Sequence, residues 1–208
     1  MFPKEEPVIS AIHHRCSFVV ALTLMLSCLL TAYAADAAAR YTHGFKLYQY
    51  HLDYGVSVED DPIPAAELGA FVAKKSEYNF EEAIKAVGVL TKSPRLFRAV
   101  GYLNVTTPST YTIIMTARDN PYMYASIFVN KAKVAGAQGY PLSLTAPVSF
   151  KEPGVYEIDI RLYAHVTEKL VTREYGGSPR LDSFNILIKA PDNDTQQPAH
   201  KVLLLPLK

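Results

Sequence analysis

The longest regular pattern in the chain is an alternation of apolar and polar side chains from Tyr156 to Val166. A period of two predicts a β-strand with one buried face and one solvated face. The solvated face would carry the polar or amphipathic residues Glu157, Asp159, Arg161, Tyr163 and His165. Because a single amphipathic strand leaves its backbone groups and its apolar face unsatisfied, we expect further strands to pair with it.

Short apolar segments separated by Pro, Gly and Asn turns can supply these neighbours. Their even spacing is typical of antiparallel β-sandwiches and barrels. We therefore predict an all-β fold, mainly an antiparallel β-sandwich, with a flexible tip at Gly136–Gly139 and a Gly- and Ser-rich loop at Val171–Pro179. The other predicted strands are Phe45–Tyr54, Leu96–Val105, Tyr111–Ala117, Tyr122–Val129, Lys133-Val134, Leu142–Leu144, Val148–Phe150, Phe184–Lys189 and Val202–Leu205.

One region, Ala65–Val89, has helical spacing instead. Asn79 can cap a helix over Phe80–Val87, whose first turn carries two glutamates where carboxylates suit the positive helix end. A first helix is predicted just before it by apolar residues at Ala65, Leu68, Phe71 and Val72. We therefore expect one or two short N-terminal helices that cover an edge of the sheet.

The N-terminus has the pattern of a secretory leader. Basic and histidine residues precede an apolar run, Cys16–Leu30, that is short for a membrane span. Ala32-Tyr33-Ala34 fits the small-x-small cleavage rule. We predict a signal peptide over residues 1–34, with no membrane span left after cleavage. An uncleaved anchor and a lipoprotein acylated at Cys28 are the alternatives.

The rest of the chain is predicted to be a short spacer, residues 35–44, and one β-sandwich domain, residues 45–208, with a helical insertion at 65–89. The chain has only two cysteines, Cys16 and Cys28, and both lie in the leader. The mature domain would therefore have no disulfide and no thiolate chemistry. Its stability must come from a core, which a chain with 49% hydrophobic residues can build.

The charge balance bears on the class of partner. The chain has 21 basic and 20 acidic residues, so it lacks the basic excess that is usual in nucleic-acid-binding proteins. We expect no nucleic-acid partner.

A series of short motifs extends from Phe97 to Ala164. They are Gly101-Tyr102-Leu103, Thr110-Tyr111-Thr112-Ile113, Arg118-Asp119-Asn120, Ile127-Phe128-Val129-Asn130-Lys131 with Val134, and Gly154-Val155-Tyr156-Glu157-Ile158-Asp159-Ile160. Their order resembles the PA14 family of β-sandwich domains, which implies a PA14-like or jelly-roll type of sandwich. Sugar-binding members of that family hold a calcium ion with an acidic pair after the second strand.

Asp119 and Asn120 stand at the position of that acidic pair, and the resemblance implies that they would be the calcium ligands. Both offer oxygen atoms, which calcium accepts, but one carboxylate fewer predicts weaker binding. Tyr122 and Tyr124 follow on the next strand, and a Tyr ring combines an apolar face with a polar tip. We predict a ligand-binding site at Asp119, Asn120, Tyr122 and Tyr124. The alternative is an ordinary Asx-turn with both Tyr side chains packed into the sheet.

Other candidate sites have simpler explanations. Glu157 and Asp159 lie two apart on one strand face, at about 7 Å, a separation that could suit glycoside hydrolysis. The alternative is a solvated strand face on which Arg161 balances two acids. Asn104-Val105-Thr106 and Asn193-Asp194-Thr195 match the glycosylation pattern, and Asn193 is the better candidate because Asn104 falls at a predicted strand end.

The sequence therefore predicts an exported, non-enzymatic β-sandwich binding module, secreted or facing the cell envelope. It would recognise a glycan or a partner protein through its loops, with no cofactor other than calcium at Asp119 and Asn120. One alternative is a structural subunit of a secretion, pilus or surface assembly that acts through sheet edges, suggested by the tail Asp192–Lys208. The least favoured alternative is a glycan hydrolase that uses Glu157 or Asp159.

Overall fold

The computed structural model describes residues 40–53, 55–88, 94–118, 123–165, 183–191 and 193–207. The predicted signal peptide, Asp119, Asn120, Tyr122 and the predicted loop Val171–Pro179 lie outside these residues. The chain divides into two compact units, Met1–Thr42 with Pro206–Lys208, and His43–Leu205. In the first unit, the Leu207 N–H donates to the Arg40 carbonyl at 2.7 Å.

The described elements are mainly strands. A 3-10 turn covers Val58–Asp60, and two helices cover Phe80–Val87 (α1) and Ala199–Val202 (α2). The strands are β1 (Tyr41–His43), β2 (Phe45–His51), β3 (Glu67–Ala73), β4 (Glu77–Asn79), β5 (Pro94–Val105), β6 (Ser109–Ala117), β7 (Met123–Val129), β8 (Ala132–Gln138), β9 (Leu142–Phe150), β10 (Gly154–His165), β11 (Ser183–Lys189), β12 (Gln197–Pro198) and β13 (Leu204–Pro206).

The strands of the second unit form two antiparallel sheets among the described residues. The larger sheet has the order β3-β2-β5-β10-β7-β8, and β13 also pairs with β5, at Leu204 and Tyr102. The smaller sheet has β6 between β9 and β11, and both β4 and β12 pair with the other side of β11. This architecture confirms the predicted antiparallel sandwich, with the strand predicted at Tyr156–Val166 lying centrally as β10.

The core lies between the sheets and includes α1. Ile158, Ile160 and Leu162 of β10 are at most 1% exposed on its inner face. The ring of Phe184, on β11, lies 5.4 Å from that of Phe80 on α1 and 5.6 Å from that of Phe97 on β5, measured between centroids. One aromatic side chain therefore joins the helix and both sheets.

The helix predicted before α1 is wrong, because Glu67–Ala73 is the strand β3. It pairs with β2 in antiparallel register, from Phe45 opposite Ala73 to Gln49 opposite Gly69. Gly69 has a φ of 150°, which a helix cannot contain. Its hydrogen atom in place of a Cβ also lets the Val87 side chain approach to about 3.1 Å from where that Cβ would be.

The prediction of α1 is confirmed together with its cap. The Asn79 side chain accepts a hydrogen bond from the Glu82 N–H at 2.8 Å, and Gly88 ends the helix in the left-handed conformation. We expect Asn79→Ala to lower the free energy of unfolding by about 1 kcal/mol, because it removes this cap. Urea denaturation measures the change. Asn79→Asp, which keeps the acceptor oxygen, should stay close to the wild type.

The two short strands predicted on either side of Pro147 form one strand, whereas the glycosylation candidates stay as predicted. Leu142–Leu144 and Val148–Phe150 belong to one strand, β9, because it pairs only with β6 among the described residues and an edge strand tolerates Pro147. Asn104 lies within β5. Asn193 lies in a turn, where its Oδ1 accepts from the Thr195 N–H at 2.8 Å, and its glycosylation stays a prediction.

Of the predicted last strand, Val202–Leu205, only Leu204 and Leu205 belong to a strand, β13, while Val202 is the last residue of α2. Leu203 is 1% exposed, and its carbonyl accepts from the Gly44 N–H at 2.8 Å. A Cβ on Gly101 of β5 would lie 3.0 Å from the Leu203 Cβ, so glycine permits this close packing. Leu203 therefore anchors the C-terminal segment, which suggested the structural-subunit alternative, to the core.

Candidate functional site

Strands of both sheets end together at one end of the sandwich, which we call the loop end. In the larger sheet, Ala164 of β10 lies opposite Met123 of β7. In the smaller sheet, Ala117 of β6 lies opposite Phe184 of β11 and Leu142 of β9. The connections β6–β7, β8–β9 and β10–β11 therefore all leave from and return to this end.

The β8–β9 turn joins the two sheets at the loop end and carries an exposed aromatic ring. The Gly139 N–H donates to the Met123 carbonyl at 3.3 Å, which ties the turn to the start of β7. Tyr140 is 60% exposed, more than any other described Tyr or Phe. Tyr140 was not among the predicted site residues, because Gly136–Gly139 was predicted to be a flexible tip, whereas Gly136 belongs to β8. An aromatic residue between Gly139 and Pro141 was the available signal.

Three of the four predicted site residues, Asp119, Asn120 and Tyr122, lie outside the described residues. The residues that flank them are placed at the loop end. The Arg118 N–H donates to the Ser183 carbonyl at 2.9 Å, so the end of β6 adjoins the start of β11. The β6–β7 connection thus leaves the sandwich next to the β10–β11 connection.

The fourth predicted residue, Tyr124, does not face solvent. It is 8% exposed, and its ring packs 5.9 Å from that of Tyr163 between centroids. Its hydroxyl accepts a hydrogen bond from Lys133 Nζ at 2.7 Å. The structure therefore places Tyr124 in a packed cluster on the outer face of the larger sheet, as the alternative interpretation expected.

This outer face also buries an ion cluster. Asp159 is 2% exposed and lies between two arginines. Its Oδ1 accepts from Arg98 Nε at 3.0 Å, and its Oδ2 accepts from Arg161 at 3.0 and 3.2 Å. Both carboxylate oxygens are therefore occupied, which suits a structural role better than the acid–base role considered for Asp159.

A segment that we call the strap, 58–64, covers the cluster. The Arg161 guanidinium donates to the Asp61 carbonyl at 2.7 Å, and the Tyr163 hydroxyl donates to the Pro62 carbonyl at 3.0 Å. Burial raises the pKa of the Tyr163 phenol, so it stays protonated as a donor. Lys133 Nζ lies 2.6 Å from Asp61 Oδ2. The predicted solvated face of β10 is therefore wrong at Asp159 and Tyr163, because the strap excludes water there.

Another buried arginine lies on the inner side of the larger sheet. Arg95 is fully buried, and its guanidinium donates to Gln49 Oε1 at 3.0 Å. Gln49 in turn donates to the Ala83 carbonyl of α1. Burial lowers the pKa of Arg95. This chain of hydrogen bonds fixes α1 against β2 and β5.

His200 gives the fold a pH dependence. Its Nδ1 lies 3.3 Å from Ser76 Oγ, and burial, followed by the charge of Lys201, lowers its pKa below the ordinary value of 6.5. The folded state therefore binds a proton less readily than the unfolded state. The stabilisation is complete above pH 6.5 and is lost as the pH falls from 6.5 through the folded-state pKa.

We expect the urea midpoint of unfolding to fall as the pH is lowered across this window. His200→Gln should flatten that dependence, whereas His43→Gln, which changes an exposed histidine, should leave it unchanged. An equal pH dependence in wild type and His200→Gln would contradict this assignment.

None of the described His, Cys, Asp and Glu side chains form a group of three or more that could hold a metal ion. No helix within the described ranges is long and apolar enough to cross a membrane.

No protein-family model and no curated protein matches the chain. Solved structures resemble it in fold. The PA14 domain of the MpAFP antifreeze protein is 16% identical, with a TM-score of 0.52, over 79% of this chain and 90% of that one. The Epithelial Adhesin 9 A domain from Candida glabrata, in complex with Galβ1-3GlcNAc, is 11% identical, with a TM-score of 0.50, over 80% and 90%. The PA14-like fold inferred from the sequence is confirmed by these two likenesses.

Proposed function

We propose, from this PA14-like fold, that the chain is an exported, non-enzymatic module that binds a glycan with its loop end. The observation that carries the proposal is Tyr140, a 60% exposed aromatic ring on a turn that joins the two sheets. Aromatic faces pack well against the apolar faces of sugar rings, and a Tyr hydroxyl adds a polar contact.

The position of the β6–β7 connection also supports the loop end as the glycan-binding site. Arg118 and Met123 bound the connection that contains Asp119 and Asn120, and Met123 also accepts the hydrogen bond from the Tyr140 turn. We propose that Asp119, Asn120 and Tyr122 contact the glycan near Tyr140, with Asp119 and Asn120 as the calcium ligands. The buried Tyr124 would support this end by packing, without touching the ligand. The Candida glabrata adhesin domain, which shares the fold, was solved with a galactose-containing disaccharide.

Export is proposed from the leader pattern, Cys16–Leu30 followed by Ala32-Tyr33-Ala34. A mature domain without cysteine has no thiol to oxidise, so it is compatible with the oxidising conditions outside the cell or in the envelope.

The two alternatives gain less support from the contacts. The structural-subunit alternative was motivated by a free tail, but Leu203 is buried in the core. The hydrolase alternative needs an available carboxylate, but both oxygens of Asp159 accept from arginines. A glycan-binding module therefore remains the proposal.

We expect the purified protein to bind a subset of β-galactosides and related glycans on a glycan array, with millimolar to micromolar affinity measured afterwards by titration calorimetry. Tyr140→Ala should weaken binding about tenfold or more, because it removes the stacking face. Asp119→Ala should abolish the calcium-dependent part of glycan binding, which is the part that a calcium chelator removes from the wild type.

Glu152→Gln is the control, because it changes an exposed residue on the β9–β10 turn, away from the loop end. Equal binding by the wild type and Tyr140→Ala would exclude the loop end as the glycan site. A protein that binds no glycan but captures one envelope protein would favour the partner-protein function.

A further inference from the structure

A groove on the outer face of the smaller sheet, which we call the β11 groove, is built from residues outside the proposed glycan site. Its cavity volume is about 590 Å³, within the range of small-molecule sites, about 300–1,000 Å³. Four elements form it: the β3–β4 turn with β4, the first turn of α1, the outward side of β11, and α2. The lining residues that matter below are Lys75, Glu77, Glu82, Ser183, Asn185 and His200.

Several polar groups of the groove are already paired. Lys75 Nζ lies 2.6 Å from Glu82 Oε2, so a carboxylate neutralises the one lysine among the described lining residues. His200 Nδ1 lies 3.3 Å from Ser76 Oγ. The lowered pKa of His200 keeps this side chain uncharged at neutral pH. These pairs contribute shape to the groove and no net charge.

Two acceptors of the groove lack a full set of hydrogen-bond partners among the described residues. Asn185 Oδ1 is buried and has no hydrogen-bond partner among the described residues. Glu77 has one long hydrogen bond, from Ser183 Oγ to its Oε1 at 3.4 Å. Glu77 of β4 lies directly opposite Asn185 of β11 in the antiparallel register. Their side chains therefore share one face, with Cβ atoms about 5 Å apart.

The chemistry of these two groups selects the ligand. A carboxylate and an amide oxygen side by side supply several acceptors and one negative charge. A primary ammonium group carries three N–H donors and a positive charge, so it can donate to both at once. An acetylated amine has lost the charge and two of the donors. A buried acceptor left without a donor is unfavourable, and the ammonium would relieve this at Asn185.

We propose that the β11 groove binds a ligand through a primary ammonium group, held by the Glu77 carboxylate and Asn185 Oδ1. Such a group can come from an unacetylated amino sugar or from a lysine side chain. This inference does not depend on the proposed glycan site, because Tyr140, which carries that proposal, is not among the residues that line the groove.

The test is a titration of the ¹⁵N-labelled protein, followed by NMR chemical shifts, with three probes: glucosamine, N-acetylglucosamine and Nα-acetyl-lysine amide. We expect glucosamine, the lysine derivative or both to shift resonances of the β11 groove, and N-acetylglucosamine to shift them at least tenfold less at equal concentration. Binding by glucosamine alone would identify the amino sugar as the source, and binding by the lysine derivative alone would identify a peptide.

Glu77→Gln keeps the size of the side chain and removes its charge, so we expect it to weaken binding of the amines at least tenfold. Asn185→Ala should weaken it as well, and Glu152→Gln, the matched charge change outside the groove, should not. Thermal unfolding of each variant shows that the fold is intact. Asp119→Ala should bind the amines as the wild type does, which separates this site from the loop end.

Three results would overturn the proposal. They are no shift with either amine, equal shifts with glucosamine and N-acetylglucosamine, and full amine binding by Glu77→Gln.

Discussion

Replacing Asp159 with alanine is expected to lower the free energy of unfolding by about 3–5 kcal/mol, because two arginines then stay partly buried without their carboxylate. Asp159 is 2% exposed and accepts hydrogen bonds from Arg98 and Arg161 at 3.0 Å each. Urea denaturation at neutral pH measures the change.

Glu157→Ala is the matched control, because Glu157 lies two residues away on the same face of β10 and is only half-buried. Its loss should cost less than about 1 kcal/mol. Replacing the whole cluster, Arg98→Met with Asp159→Leu and Arg161→Met, should recover most of the stability, because no uncompensated charge remains. If Asp159→Ala proved as mild as Glu157→Ala, the buried ion cluster would not contribute as the structure indicates.

Phe184→Ala is expected to lower the free energy of unfolding by about 3–5 kcal/mol as well, since it opens a cavity where α1 and both sheets meet. Phe184 is 1% exposed, and its ring lies within 6.0 Å of the ring centroids of Tyr78, Phe80 and Phe97. Chemical denaturation followed by far-UV circular dichroism measures the loss.

Phe184→Leu, which leaves a smaller cavity, should lose less than Phe184→Ala. Tyr140→Ala provides the surface comparison, because it removes an aromatic ring that is 60% exposed and should change stability by less than about 0.5 kcal/mol. Tyr140→Ala is also expected to lose glycan binding. The Phe184 variants therefore test stability, and the Tyr140 variant tests binding. If Phe184→Ala lowered the free energy of unfolding only slightly, the Phe184 ring would not be the contact that holds α1 against the sheets.

The strands were predictable where a regular period and tertiary pairing agree. The alternation from Tyr156 onward became β10, which pairs with β5 and β7 along its length. The Asn130-Lys131 turn also follows local chemistry. Both residues have positive φ, 47° and 70°, as the two central residues of a type I′ hairpin turn require.

The strand β3 was not predictable from spacing because a short apolar segment fits both periods. A helical spacing fits Leu68, Phe71 and Val72. The segment nevertheless pairs with the edge of β2 through its backbone, and this tertiary pairing makes it a strand. Gly69, with its positive φ, was the local sign against a helix.

The prediction that one face of β10 is solvated was wrong for a different reason. Alternation shows that a strand has two unlike faces, but it does not show what covers the polar one. Here the strap, which lies about a hundred residues earlier in the sequence, supplies backbone carbonyls for Arg161 and Tyr163. Polar residues that satisfy one another in this way can be buried.

The candidate site was predictable only in part. The resemblance over Phe97–Ala164 located the β6–β7 connection, and the structure places the ends of that connection at the loop end. It did not locate Tyr140, whose exposure depends on the crossing between the two sheets, nor the burial of Tyr124, which depends on Lys133 and Tyr163.

The burial of Leu203 against Gly101 has a consequence for biosynthesis. While a ribosome is still adding residues before Leu203, β5 lacks its contact with β13, and a gap remains beside Phe45. The packing next to Gly101 is therefore completed only when the residues up to Leu205 have been added. The last contacts of the larger sheet form late in synthesis, after the pairing of β5 with β2 and β10 has become possible.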